Sequence, residues 1–202
     1  MDKYSLPLTE GGYYHIYNQG NNKEKIFFSS DNYNYFLHKF DAYLSDFVDV
    51  YAFCLMPNHF HFLIRIKELD VDIRHSISSR YGMSMSIEKT EIIISEMFRR
   101  LFLSYSKSIN KQLGRTGSLF RKNFKRKEIT SLHYLQQAIV YIHRNPLHHD
   151  FVDDFHDYPW SSYDRIINKK TSKLKKSEVV ELFGDRANYQ YVHNFDVEDD
   201  LE

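Results

Sequence analysis

The stretch Val48-Asp49-Val50-Tyr51-Ala52-Phe53-Cys54-Leu55-Met56-Pro57-Asn58-His59-Phe60-His61-Phe62-Leu63-Ile64-Arg65-Ile66 decides the fold. Val48 to Leu55 is an apolar run broken only by Asp49, which reads as a buried strand. Met56-Pro57-Asn58 reads as a turn. His59 to Ile66 alternates strictly: His59, His61, Leu63 and Arg65 face one way, and Phe60, Phe62, Ile64 and Ile66 face the other. Two strands joined by a tight turn form an antiparallel hairpin.

Upstream, Tyr13 to Phe28 is aromatic and β-branched at its ends, with the turn formers Asn18 to Asn22 between. Ser30-Asp31 starts a helix carrying Tyr35, Phe36, Phe40, Tyr43, Leu44 and Phe47. Downstream, Glu68 to Thr90 is Ser-rich and unpatterned and is expected to be an inserted loop. Ile93, Met97, Leu101, Tyr105 and Ile109 recur at steps of four and predict a helix over 92–112, ended by Gly114 to Gly117. Ser118 to Ile129 can form a strand. Thr130-Ser131 caps a helix from Leu132 to about Arg144, stopped by Asn145-Pro146. Strand, helix, strand, strand, helix, strand, helix is an α+β, ferredoxin-like split βαββαβ order with an antiparallel sheet and one added helix. The same pattern serves RRM-like modules. This reading assigns 1–167 to one domain, with an insertion at about 68–90. Residues 168–202 form a C-terminal extension, partly helical at 176–183, that ends in an acidic tail.

The length of 202 residues and a composition of 42% hydrophobic and 27% charged residues suit a folded chain with its own core. The single cysteine, Cys54, excludes an internal disulfide framework. Met1 to His15 has no basic stretch followed by an apolar run, and Tyr51 to Ile64 is too short to span a bilayer, so a cytoplasmic protein with no membrane partner is expected.

The balance of 27 bases against 27 acids hides an uneven distribution. From Arg99 to Glu128 there are ten bases and one acid, a net charge of +9. Asp196 to Glu202 carries five acids and no base. A basic segment interleaved with Tyr105, Phe120 and Phe124 suits a nucleic-acid backbone with unstacked bases. A solvated helix face beside a charged edge strand fits the same residues.

In a strand, His59 and His61 leave the same face, anchored by Phe60 between them. Two imidazoles on one rigid face can hold a divalent metal with a third ligand from another element, or they can be a coincidental pair. With no Cys-x-x-Cys present, a structural zinc site is disfavoured. Two His with a neutral oxygen suit Mg²⁺ or Mn²⁺ on a phosphate oxygen, and Zn²⁺ stays open. On the helix from Leu132, Tyr134, Gln137, Tyr141 and Asn145 fall on one face beside the apolar stripe of Leu135, Ile139 and Ile142. Tyr141 and Asn145 are i and i+4 neighbours. The amide can complete a metal site while the phenol lies next to a bound phosphate. Equally, Tyr141 can be boundary packing and Asn145 a helix stop.

Met56-Pro57-Asn58-His59-Phe60-His61-Phe62-Leu63-Ile64 resembles the His-hydrophobic-His motif of the HUH single-tyrosine transposases. Tyr141-Ile142-His143-Arg144-Asn145-Pro146 looks like their tyrosine helix in the REP-associated tyrosine transposase form. Gly12 to Gly20, Gly117 to Lys125 and Tyr158 to Tyr163 are similar to flanking stretches of that family, though Arg is more usual where Gln19 stands. The resemblance covers roughly 11–163. It implies a metal-dependent strand transferase acting on single-stranded or hairpin DNA, with His59 and His61 as metal ligands and Tyr141 as nucleophile. Asn145 is implied as third ligand, where many relatives have Gln. The implied intermediate is a 5′-phosphotyrosine, and Arg115, Arg121, Lys122, Lys125, Arg126 and Lys127 are expected to hold the DNA. Related enzymes act alone or as homodimers. The alternatives are a non-catalytic or domesticated nucleic-acid-binding module and a two-metal nuclease built on acids such as Asp49, Asp70 and Asp72.

Overall fold

The computed structural model describes residues 6–82, 90–168 and 171–195. The acidic run 196–202 and part of the predicted insertion, 83–89, lie outside them. The hairpin is present as β2 (Val48–Met56) and β3 (His59–Ile66), joined through Pro57 and Asn58. β1 (Tyr13–Gln19) pairs antiparallel with β3 on one side and with β4 (Lys125–Ile129) on the other. The four-stranded order β2-β3-β1-β4 is that of a ferredoxin-like sheet.

Each sheet face carries its own core. α1 (Ser30–Leu44) and α3 (Thr90–Leu113) cover one face, burying Phe36, Phe40, Met97, Phe98 and Leu101 against Phe60, Phe62, Ile64 and Ile66. Phe40 stacks on Phe62 with centroids 4.1 Å apart. Much of the aromatic content is used here, as packing. α3 ends at Gly114, whose φ of 62° is the left-handed conformation glycine accepts without strain.

The other face carries α4 (Leu132–His148), capped by Ser131, whose Oγ accepts from the Tyr134 N–H at 3.1 Å. Leu135, Ile139 and Ile142 join Leu63, Ala52, Cys54 and Met56 in a second core. α5 (Tyr163–Ile167), α6 (Lys176–Leu182) and α7 (Arg186–Val192) then close over the back of α4 with Tyr163, Val179, Phe183 and Tyr189. α4 is therefore buried all round from Ala138 to Pro146, not along one stripe. A bulge between Val50 and Ala52 turns both Tyr51 and Ala52 toward this second core. The Tyr51 hydroxyl donates to Glu178 of α6. The outer edge of β2 is covered, since Leu55 N donates to Trp160 O (3.0 Å), Ser162 N to Phe53 O (2.9 Å) and Lys175 N to Val50 O (3.0 Å).

Three local expectations are corrected. Val71–Tyr81, read as loop, is helix α2, capped by the Asp70 carboxylate on Ile73 N (2.8 Å) and closed by Gly82 at φ 62°. It is tied down by the buried Arg74, which donates to Leu69 O (2.8 Å) and Thr90 Oγ1 (2.9 Å) and pairs with Glu10. Of 118–129, only Lys125–Ile129 is strand, and the part before it is irregular chain with a single bridge, Gly20 to Phe120. Asn145-Pro146 does not stop α4, which runs on to His148. Proline's fixed φ is helical, and so near the C-terminus only one backbone bond is lost. Among the described residues no helix is long and apolar enough to cross a membrane.

Candidate active site

Strand alternation fixes the first half of the site. His59 and His61 point to the α4 side while Phe60 and Phe62 enter the opposite core. His59 Nδ1 lies 2.7 Å from Asn58 Oδ1, which can only accept, so Nδ1 carries the proton and Nε2 of the neutral ring carries a lone pair. His61 Nδ1 lies 2.7 Å from Nε2 of His15, on the neighbouring strand β1. In both rings Nδ1 is held by a neighbour, so Nε2 is the nitrogen suited to a ligand, the arrangement that orients metal-binding imidazoles. Burial, with His149 nearby, lowers the His59 pKa to about 4, against the opposing effect of the Asn145 contact. Burial, then His15 and His59, holds His61 well below the usual imidazole value. Both rings are neutral at pH 7, as coordination requires.

α4 supplies the second half. Tyr141 and Asn145 are one turn apart and both buried, at 4% and 0% exposure. The Tyr141 ring meets His61 edge-on, centroids 6.0 Å apart, and His15 at 6.1 Å. Asn145 Oδ1 lies 3.4 Å from His59 Nε2. Asn145 Nδ2 has no partner among the described residues, so nothing else fixes this amide. The donor set of two neutral imidazoles and an amide oxygen therefore fits a divalent cation. Among the described residues no group of three or more His, Cys, Asp or Glu could hold a metal, so a metal site here would need the amide.

A cleft of about 480 Å³ opens onto the histidines. Its wall includes His59, His61 and His149, the cations Lys23, Arg121, Lys122 and Lys125, and the rings of Tyr17 and Phe151. Tyr141 does not line it and lies behind His61. Of the six expected DNA contacts, Arg121, Lys122 and Lys125 are thus brought to the site. Lys127 is on the same sheet face, over the Tyr134 ring at 5.9 Å. Arg126 alternates to the other face, over Phe124 and 3.3 Å from Glu91. Arg115 pairs with Glu24 at 2.7 Å and does not line the cleft.

The sequence reading missed His15, Tyr17, Lys23 and His149. His15 and Tyr17 alternate on β1 as His59 and His61 do on β3, and that period was the available signal. Only the register, Tyr17 opposite His61, shows that they meet. Asp49, Asp70 and Asp72 are dispersed: Asp49 lies between Lys67 (3.7 Å) and Lys175 (3.5 Å), Asp70 caps α2, and Asp72 is in its first turn. The sheet face that an RRM-like module offers to bases is covered here by α4, with His15 and Leu63 both at 0% exposure.

No protein-family model matches the chain. A curated protein of Haemophilus influenzae, placed by its name among the REP-associated tyrosine transposases, is 24% identical over 170 residues, covering 83% of this chain and 88% of that protein. The solved structure of a REP-associated tyrosine transposase bound to a REP hairpin superposes with a TM-score of 0.62 at 18% identity, covering 84% of this chain and 87% of that one. At that identity the structural likeness is one of fold. In fold, and in sequence over most of its length, this chain is similar to the REP-associated tyrosine transposases.

Proposed function

We propose that this protein is a cytoplasmic DNA strand transferase that cleaves and rejoins single-stranded or hairpin DNA through Tyr141. The observation that carries the reading is the meeting of His59 Nε2 and Asn145 Oδ1 at 3.4 Å, with His61 and Tyr141 adjoining, at a basic cleft. The relative solved with a REP hairpin supports a DNA hairpin as substrate.

His59, His61 and Asn145 would hold a divalent cation, Mg²⁺ or Mn²⁺, which when bound offsets the charge on a scissile phosphate. Arg121, Lys122 and Lys125 bind the backbone on either side of that phosphate and align it. Tyr141 comes from under its cover and its phenolic oxygen attacks phosphorus. The new Oη–P bond forms as the P–O3′ bond breaks, leaving a 5′-phosphotyrosine and a 3′-hydroxyl. The phenol loses one proton and the departing oxygen gains one. The phosphodiester energy is kept in the adduct, so rejoining needs no nucleotide, and the chain has no Gly-x-x-x-x-Gly-Lys loop for one.

With Mn²⁺ and an end-labelled hairpin oligonucleotide, wild type should form a covalent adduct visible on a denaturing gel. Tyr141→Phe should form none and still bind. An adduct that persists in Tyr141→Phe would overturn the assignment and direct attention to Tyr134. Cleavage unaffected by EDTA, or by His59→Ala in a folded protein, would remove the metal from the mechanism.

A further inference from the structure

Strand register draws a line of residues across the floor of the histidine cleft. Tyr17 on β1 stands opposite His61 on β3 and opposite Lys125 on β4. Residues directly opposite on paired strands share a sheet face, and all three line the cleft. Because β1 lies between β3 and β4, Tyr17 stands between a histidine of the site and a cation of the same wall. Neighbouring strands are about 4.8 Å apart, so His61 and Lys125 are separated by about 10 Å, with Tyr17 midway. DNA that reaches from one to the other passes over Tyr17.

The Tyr17 ring is held on both sides. It stacks on His61 with centroids 5.6 Å and planes 12° apart, and on His15 with centroids 4.8 Å and planes 23° apart. From the β4 side, Lys125 Nζ lies over the ring, 5.3 Å from its centroid. No open ring face is left for a nucleobase. What Tyr17 offers the cleft is its edge, where the hydroxyl is, and the whole residue is only 7% exposed. Phenylalanine would serve the stacking equally well, so the hydroxyl adds a hydrogen-bonding group and nothing to the packing. The cleft wall contains Lys23, Arg121, Lys122 and Lys125 and no carboxylate. A donor in that setting suits an anionic oxygen brought by the ligand.

We propose that Tyr17 is a further catalytic residue, whose hydroxyl donates a hydrogen bond to a non-bridging oxygen of the scissile phosphate. This rests on the function given above and deepens it with a further residue at the same site. As the Tyr141 Oη–P bond forms and the P–O3′ bond breaks, the non-bridging oxygens keep the negative charge of the phosphoryl group. A donor already fixed by two stacked imidazoles meets that charge without reorganising. Tyr17 keeps its proton throughout.

Tyr17→Phe tests the hydroxyl alone, since the ring and its stacking remain. With Mn²⁺ and enzyme in excess over the hairpin oligonucleotide, the rate of adduct formation should fall by about 100-fold. Hairpin affinity and unfolding midpoint should match wild type. Tyr191→Phe, on α7 and 62% exposed, should keep the wild-type rate. Each diastereomer of a phosphorothioate at the scissile position is then compared, because sulfur is the poorer acceptor. One diastereomer should slow wild type more than it slows Tyr17→Phe. A purely structural tyrosine, or an effect of sulfur on the metal, would slow both proteins equally. A wild-type rate in Tyr17→Phe, an equal fall in Tyr191→Phe, or sulfur effects identical in the two proteins overturns the role. Orthovanadate binding by calorimetry separates this claim from the strand-transfer reading. Wild type should bind it about tenfold more tightly than Tyr17→Phe, as for one hydrogen bond to a charged group. A Tyr141-dependent adduct formed at the wild-type rate by Tyr17→Phe removes Tyr17 only. With no adduct in wild type, strand transfer falls; weaker vanadate binding in Tyr17→Phe then keeps the phosphoryl contact, and equal binding removes it too.

Discussion

At the residue scale, the site depends on which nitrogen of each histidine is held. Asn58 fixes His59, and His15 fixes His61, both through Nδ1. His15 is thus a positioning residue, since its contact is with His61. His15→Ala should raise the Mn²⁺ concentration needed for half-maximal cleavage by about 10- to 100-fold, the usual range for losing such a partner. Gln at the same position, which can still accept a hydrogen bond, should restore part of the loss. A purely structural role for His15 would lower the unfolding midpoint in both variants and leave the Mn²⁺ requirement of the folded protein unchanged. The pairing of Tyr141 with Asn145 was readable in advance, because i and i+4 on one helix are neighbours in any fold. The role of His15 was not, because nothing local ties residue 15 to residue 61.

At the scale of elements, α4 does two jobs. It places Tyr141 and Asn145 over the histidines, and it fills the second core. Its start is set by Ser131, and Ser131→Ala should cost about 1 kcal/mol of stability in denaturant unfolding. An unchanged midpoint would show that the burial from Ala138 to Pro146 alone determines this helix. The error at Pro146 has the same origin. Proline before the last helical turn is a stop signal in an isolated helix, but here a surround of Phe155, Tyr163 and Tyr189 keeps the turn in place. α2 was missed for the opposite reason. Its residues have no apolar stripe, and its anchor, Arg74 to Glu10 and Thr90, joins positions far apart in sequence.

On the scale of the whole molecule, buried histidines link stability to pH. Behind α4, His193 Nδ1 donates to Tyr189 O (2.7 Å), His143 Nδ1 donates to His193 Nε2 (2.8 Å), and Ser162 Oγ donates to His143 Nε2 (2.7 Å). The chain needs both rings neutral. Burial lowers His193 to about 4 and holds His143 well below 6.5, as it does His59 and His61. The unfolded chain takes up these protons near 6.5, whereas the folded one takes up those of His193 and His59 only near 4 and those of His143 and His61 well below 6.5. Stability is therefore fully present above about pH 6.5 and declines as pH falls toward 4. The melting temperature should drop steadily through that window, and a flat profile would show that these rings are not buried as neutral groups.

Sequence by itself determined the hairpin, the two faces of β3, the helical partnership of Tyr141 and Asn145, and the split between basic and acidic stretches. All of these follow from local periodicity, which the backbone imposes on any chain. Tertiary structure alone decided that His15 backs His61, that Arg126 turns away from Lys125 and Lys127, and that α4 lies on the free face of the sheet with the C-terminal helices behind it. Those outcomes depend on strand register and on which surfaces must be buried together, and both are set by contacts between residues distant in sequence.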